Sequence, residues 1–193
     1  MRRFASLALL AAVFPGCSSP EAIAPKPDPA PTPPPVSQQA PPPAQASDGD
    51  LQQRDPRYDP SRAYQLSELR VIDLVVGSHK FKAWVMDTPR KRQEGMMFLQ
   101  PDKVGANEAM LFAFPEAQPL SFWMQNTPLP LDIAYVSKAK KLLNVQHGKP
   151  FDESPLPSQG DAQYVVEVKH GTFKRLGIKP GAIVRFPADV VGQ

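Results

Sequence analysis

The segment SFWMQNTPLPLDIAYV, residues 121 to 136, crowds Phe122, Trp123, Met124 and Asn126 into a few positions and follows them with two prolines. A flat apolar ring beside an amide donor and acceptor is the chemistry that small polar ligands such as sugars call for. The prolines would hold a rigid rim around such a site. A strand alternates its side chains, so Phe122 and Met124 share one face and Trp123 takes the other. At least one of these faces belongs to a core. Asn126, close before Pro128, is also a natural turn former.

Few ionisable residues lie in apolar surroundings: Arg92, Glu94, Asp132 and Glu167. Arg92 carries a planar fork suited to a carboxylate or phosphate, or to an ion pair with Asp132 or Glu167 that closes a helix onto a sheet. Within VVEV, Glu167 shares a strand face with Val165 and Lys169, which points it toward water. Asp132 and Glu167 together could perform acid–base hydrolysis if the fold brought them close. The candidate cleft is therefore Arg92, Trp123, Asn126 and Asp132, with Met97 beside it and no catalytic residue assigned. Met96, Met97 and Met124 offer soft thioethers that select Cu(I), and Trp123 could cap such an ion; their ordinary role is core filling. His79, His147 and His170 are far apart in sequence and show no ligand spacing, so no zinc site is expected. No cofactor is indicated. Ser154 reads as part of a loop, and no nucleophile elbow, phosphate loop or triad is present in the sequence.

The elements that would position these residues occupy only part of the 193-residue chain. Arg2 and Arg3 precede an apolar run at 4 to 14, which is short of the ~20 residues a membrane span needs and is read as the core of a signal peptide over 1 to 16. The single cysteine, Cys17, follows at once and resembles the lipidation site of a bacterial lipoprotein, although Phe14 and Pro15 depart from the usual residues before Gly-Cys. One cysteine allows no internal disulfide. Residues 20 to 60 hold 13 of the 25 prolines. Such a stretch favours polyproline II and forms no core, so 17 to 61 is read as a tether. The expected location is the bacterial envelope, lipid-anchored through Cys17 and facing the periplasm; Ser18, in place of Asp, favours the outer membrane.

Residues 62 to 193 are read as one folded domain, expected to be a monomer. From Ser61 onward there are 17 Lys and Arg against 13 Asp and Glu, a net of +4. That mild excess fits solvated faces touching anionic envelope polymer, and export excludes nucleic acid. LRVIDLVVGSHKFKAWVM predicts a hairpin turning at Gly77-Ser78, apolar on both faces of its return strand. Thr88, Pro89 and Gly95 cap, start and stop a short helix. AMLFAF, ended by Pro115, and SFWM read as separate strands. LDIAYVSKAKKLLNVQ reads as a hairpin with a lysine-rich tip, PFDESPLPSQGD as a long loop, and AQYVVEV and AIVRF as strands around a helical turn at TFKRLG. The pattern predicts an α+β domain, mostly antiparallel β: a compact, curled or barrel-like sheet of about seven or eight short strands with two short helices.

RQEGMMF, AMLFAFPEAQPLSFWMQNTPLPLDIAYV, DESPLPSQGDAQYVVEV and GTFKRLGIKPGAIVRF, in that order, resemble the uncharacterised prokaryotic family catalogued as domain of unknown function 192. The resemblance covers about residues 70 to 187. It implies a compact, mostly β domain, often exported or lipid-anchored, and no established reaction or ligand. Ala109 and Ala182 depart from the family's usual Gly and Asp. Together these features predict an envelope-anchored binding or accessory module and not an enzyme, with Cu(I) handling and hydrolysis as alternatives.

Overall fold

The computed structural model describes residues 55–193. Cys17, the apolar run at 4 to 14 and the prolines up to residue 43 lie outside the described residues. Among those described, no helix is long and apolar enough to cross a membrane.

Seven strands form one curled sheet in the order β5-β4-β6-β3-β2-β1-β7. They are β1 (Val71–Val76), β2 (His79–Met86), β3 (Glu108–Phe122), β4 (Leu131–Val136), β5 (Leu142–Gly148), β6 (Leu156–Lys169) and β7 (Val184–Arg185). Two short helices, α1 (Pro89–Glu94) and α2 (Thr172–Arg175), complete the expected α+β architecture. Among the described residues only β2 and β3 pair in parallel. The two outer edges nearly meet: Lys141, just before β5, bridges to Ile183, just before β7. The amides of Leu142 and Val184 donate to the carbonyls of Ala182 and Lys140 across this seam.

Strand alternation divides the interior in two. The inner face of the curl is filled by Leu74, Phe81, Val85, Leu111, Val166, Val168 and Phe173 among others. The outer face of β2, β3, β4 and β6 carries Trp84, Met86, Met110, Phe112, Ile133, Tyr135 and Val165 and is covered by Leu66, Leu69, Met96, Leu99, Met124 and Leu129. This explains why the return strand of the first hairpin is apolar on both faces.

Two strands are longer than the sequence pattern suggests. Pro115 does not end β3; the strand continues through it to Phe122, and the ladder with β6 shifts register between Ala113 and Gln118. Proline lacks an N–H, so it is tolerated where the ladder is interrupted. Gln163 covers the gap by donating its amide to the carbonyls of Phe114 and Pro115. The second half of the expected loop at 150 to 161 pairs with this long β3, so β6 begins at Leu156. The last strand is short, Val184–Arg185.

Residues 55–61, expected in the tether, already touch the domain. Arg57 pairs with Glu108 at 3.1 Å and lies over the Trp84 ring. Arg62 is buried and donates to the carbonyls of Tyr64, Gly95 and Met97.

Candidate functional site

The helix α1 is built as its sequence predicts. Thr88 Oγ1 accepts from the Lys91 amide, Pro89 takes the first position, and Gly95 ends the helix with φ 49° and ψ −130°. That backbone is open to glycine and strained for other residues. Gly95 also lies where a side chain would meet the Phe112 ring at 3.1 Å. The turn after it brings Met96 into the outer core and leaves Met97 half-buried.

Between α1 and the end of β3 lies a cleft of about 340 Å³, lined by Arg92, Met97, Phe114, Phe122, Trp123 and Glu167 among others. Its aromatic wall is continuous: Phe122 meets Phe112 edge-on at 5.0 Å, and Phe114 and Tyr135 at 6.5 and 5.9 Å. Trp123, just past the strand end, is 47% exposed. Glu167 is 4% exposed, and its Oε2 has no hydrogen-bond partner among the described residues. Burial in these apolar surroundings pushes its carboxyl up to about 8.

Arg92 borders the cleft, but its guanidinium is held by main-chain oxygens: Asp87 and Ala113 through Nη1, and Gln193 through Nη2. It also lies over the Phe114 ring at 4.8 Å. It forms no ion pair with Asp132 or Glu167; carbonyl acceptors from three segments take that place and fasten α1 to β3.

The structure brings Arg92 and Trp123 into one cleft and puts the other two expected residues elsewhere. Asn126 lines a neighbouring hollow of about 580 Å³ with Tyr64, Gln93, Met97 and Phe98. Its own φ is 52°, in a turn closed by the Thr127 amide on the Met124 carbonyl. Asparagine tolerates this left-handed conformation better than most residues, so the turn-forming role is visible in the backbone. Asp132 is absent from the cleft because strand alternation turns it to the inner face, beside Ala134 and Val136 and not with Leu131 and Ile133. Glu167 corrects the expectation of a wet face: Val165 beside it is outer core, and that face is covered.

Met124 packs fully buried against Gly148, and Met96 is buried in the same outer core, so of the three thioethers only Met97 keeps a partly open position. Two of the three histidines, far apart in sequence, come together in the fold. His147 Nδ1 and His170 Nδ1 lie 2.9 and 3.0 Å from the same Asp132 oxygen. A hairpin tipped at 138 to 141 sets Asp132 opposite His147, so this pairing was available from the hairpin itself. The approach of His170 required the β4–β6 register.

Fold and cleft together define a small curled-sheet domain with a covered outer face and an aromatic-walled cleft over a buried carboxyl. The family model of domain of unknown function 192, described as an uncharacterized ACR, matches residues 72–186, and the chain belongs to this family. Two solved structures are similar. One is a protein of unknown function from Novosphingobium aromaticivorans, 31% identical, covering 67% of this chain and 94% of its own, with a TM-score of 0.59. The other is a candidate transcription regulator from Sinorhizobium meliloti, 27% identical, covering 61% of this chain and 95% of its own, with a TM-score of 0.59. No curated protein matches the chain.

Proposed function

We propose that the domain binds a small, uncharged polar ligand, of the hydroxyl-rich kind that sugars represent, in the cleft between α1 and the end of β3. The observation that carries this reading is Glu167: a buried carboxyl with an oxygen unpartnered among the described residues, bordering an open cleft. Burying a polar group without a partner is costly, and a ligand hydroxyl entering the cleft would supply the partner. With its pKa raised to about 8, the carboxyl is largely protonated at neutral pH and offers both a donor and an acceptor. Trp123 and Phe122 would receive the apolar face of such a ligand. An anionic ligand is less well served, because the Arg92 fork is already engaged by carbonyls. The hydrolase alternative lacks support, since Asp132 and Glu167 face opposite sides of the sheet. We further propose that the chain is exported and lipid-anchored through Cys17. The support for this is the order of charged, apolar, cysteine and proline-rich segments in the sequence.

The test is a titration of the full chain with glucose, galactose and N-acetylglucosamine, followed by tryptophan fluorescence. Saturable change that is lost in Trp123→Ala and weakened in Glu167→Ala is the expected result. No change with any of the three at millimolar concentration would overturn the ligand class.

A further inference from the structure

We propose that Asp132, His147 and His170 form a binding site for a divalent late transition-metal ion such as Zn²⁺, separate from the cleft. Each residue offers one donor atom, and the three atoms lie within 4.8 Å of one another. Both imidazoles direct Nδ1 at the same oxygen, Asp132 Oδ1, at 2.9 and 3.0 Å. The rings stand 5.1 Å apart and nearly perpendicular, at 85°. Two imidazoles and one carboxylate are a donor set that suits zinc, copper or nickel and disfavours magnesium or calcium.

The fold holds these atoms without help from a metal. Asp132 and His147 are direct partners in the β4–β5 ladder. His170 follows the last β4–β6 pair, Leu131 with Lys169, and its amide donates to the Pro130 carbonyl. The carboxylate itself is fully buried and fixed by the amides of Gly171 and Phe173, at 3.1 Å each. Such outer-shell bonds are what orient a ligating carboxylate. The histidines are the reverse, with side chains 61% and 50% exposed. An ion between them would therefore have protein on one side and water on the other, with a coordination position left for water or an external ligand. Binding requires each Nδ1 to present its lone pair to the ion in place of donating to Asp132, with the ring proton carried on Nε2.

The bland account makes Asp132 only the cap of α2, with two histidines resting on it. Calorimetric titration of Zn²⁺ into the full chain, stripped of metal beforehand, separates the two accounts. One ion per chain is expected. His147→Ala and His170→Ala should each weaken binding by about tenfold or more, and together abolish it. His79→Ala, at the far end of the first hairpin, should change nothing. Substituting Co²⁺ should give visible absorption that disappears in the double variant. Absence of stoichiometric Zn²⁺ binding, or binding that survives in His147→Ala/His170→Ala, would overturn the proposal.

Discussion

Asp132 and Glu167 sit on adjacent paired strands, yet their carboxyls project to opposite faces of the sheet. In the β4–β6 ladder Asp132 lies against Val168 and Ile133 against Glu167, so strand alternation separates the two groups. Their surroundings differ as much as their directions. Asp132 accepts from the amides of Gly171 and Phe173 and lies within hydrogen-bond reach of two imidazoles. Glu167 lies among Phe112, Val165 and Ile133 with an oxygen left unpartnered among the described residues. The same side-chain chemistry is thus stabilised on one face and held in reserve on the other.

That reserve has a measurable pH signature. In the unfolded chain Glu167 titrates at the ordinary value near 4.5, and in the fold at about 8. Below the lower value both states are protonated and the group does not discriminate between them. As pH rises from about 4.5 to about 8 the unfolded state loses its proton first, so this group's contribution falls through that window and levels off above it. Glu167→Gln removes the titration while keeping the shape. Its melting temperature should match the parent near pH 4.5 and exceed it near pH 9, by a stability difference on the order of a few kcal/mol. A difference that stays constant across this range would show that Glu167 is not held protonated.

Gly95 shapes the same cleft from the helix side. Its φ of 49° disfavours a side chain, and a Cβ would lie 3.1 Å from the Phe112 ring and 3.8 Å from Glu167 Oε2. Gly95→Ala should therefore cost about 1–3 kcal/mol, visible as a lower urea midpoint at unchanged slope. An unmoved midpoint would mean that the turn relaxes freely and that the glycine does not fix the cleft.

Much of this architecture is legible in the sequence, because local rules govern it. The cap at Thr88, the stop at Gly95 and the turns at Gly77-Ser78 and 138 to 141 each depend on a few adjacent residues. The long strands were hidden for a different reason. Pro115 is a strand terminator by local chemistry, and only the Gln163 amide on the far strand makes its passage through β3 possible. The burial of Glu167 was hidden because alternation assigns a residue to a face without saying what covers it. Leu66, Met96 and Leu129, remote in sequence, cover that face. Asp132 with His147 was within reach of hairpin pairing, whereas His170 needed the order of non-consecutive strands.

The two tryptophans provide an optical test of the cleft wall. Trp84 is 3% exposed beneath Arg57, and Trp123 is 47% exposed. Acrylamide should quench two populations, giving a downward-curving Stern–Volmer plot. Trp123→Phe should leave a single shallow line. If that variant retained the steep component, Trp123 would not be the accessible ring, and the proposed stacking surface would fail with it.

The loop that borders the cleft is held from the N-terminal side by Arg62. Its guanidinium donates to the carbonyls of Gly95 and Met97 and lies 3.5 Å from Glu94, whose carboxylate also accepts the amides of Ala63 and Tyr64. The Arg62 side chain is wholly buried, so its removal leaves carbonyls and a carboxylate without their cation. Arg62→Met should cost about 3–5 kcal/mol, as expected when one partner of a buried pair is lost. Glu94→Gln should cost less, because an amide oxygen can still accept from Ala63 and Tyr64. The double variant should be less destabilised than the sum of the two, which a double-mutant cycle in urea would show. The same substitution bears on the cleft. Freed from Arg62, the segment from Gly95 to Met97 should admit water to Glu167 and lower its titration toward the ordinary glutamate range. The pH dependence of melting between pH 5 and 8 should then be flatter in Arg62→Met than in the parent. An equally steep dependence would mean that Arg62 stabilises the fold without governing the solvation of the cleft.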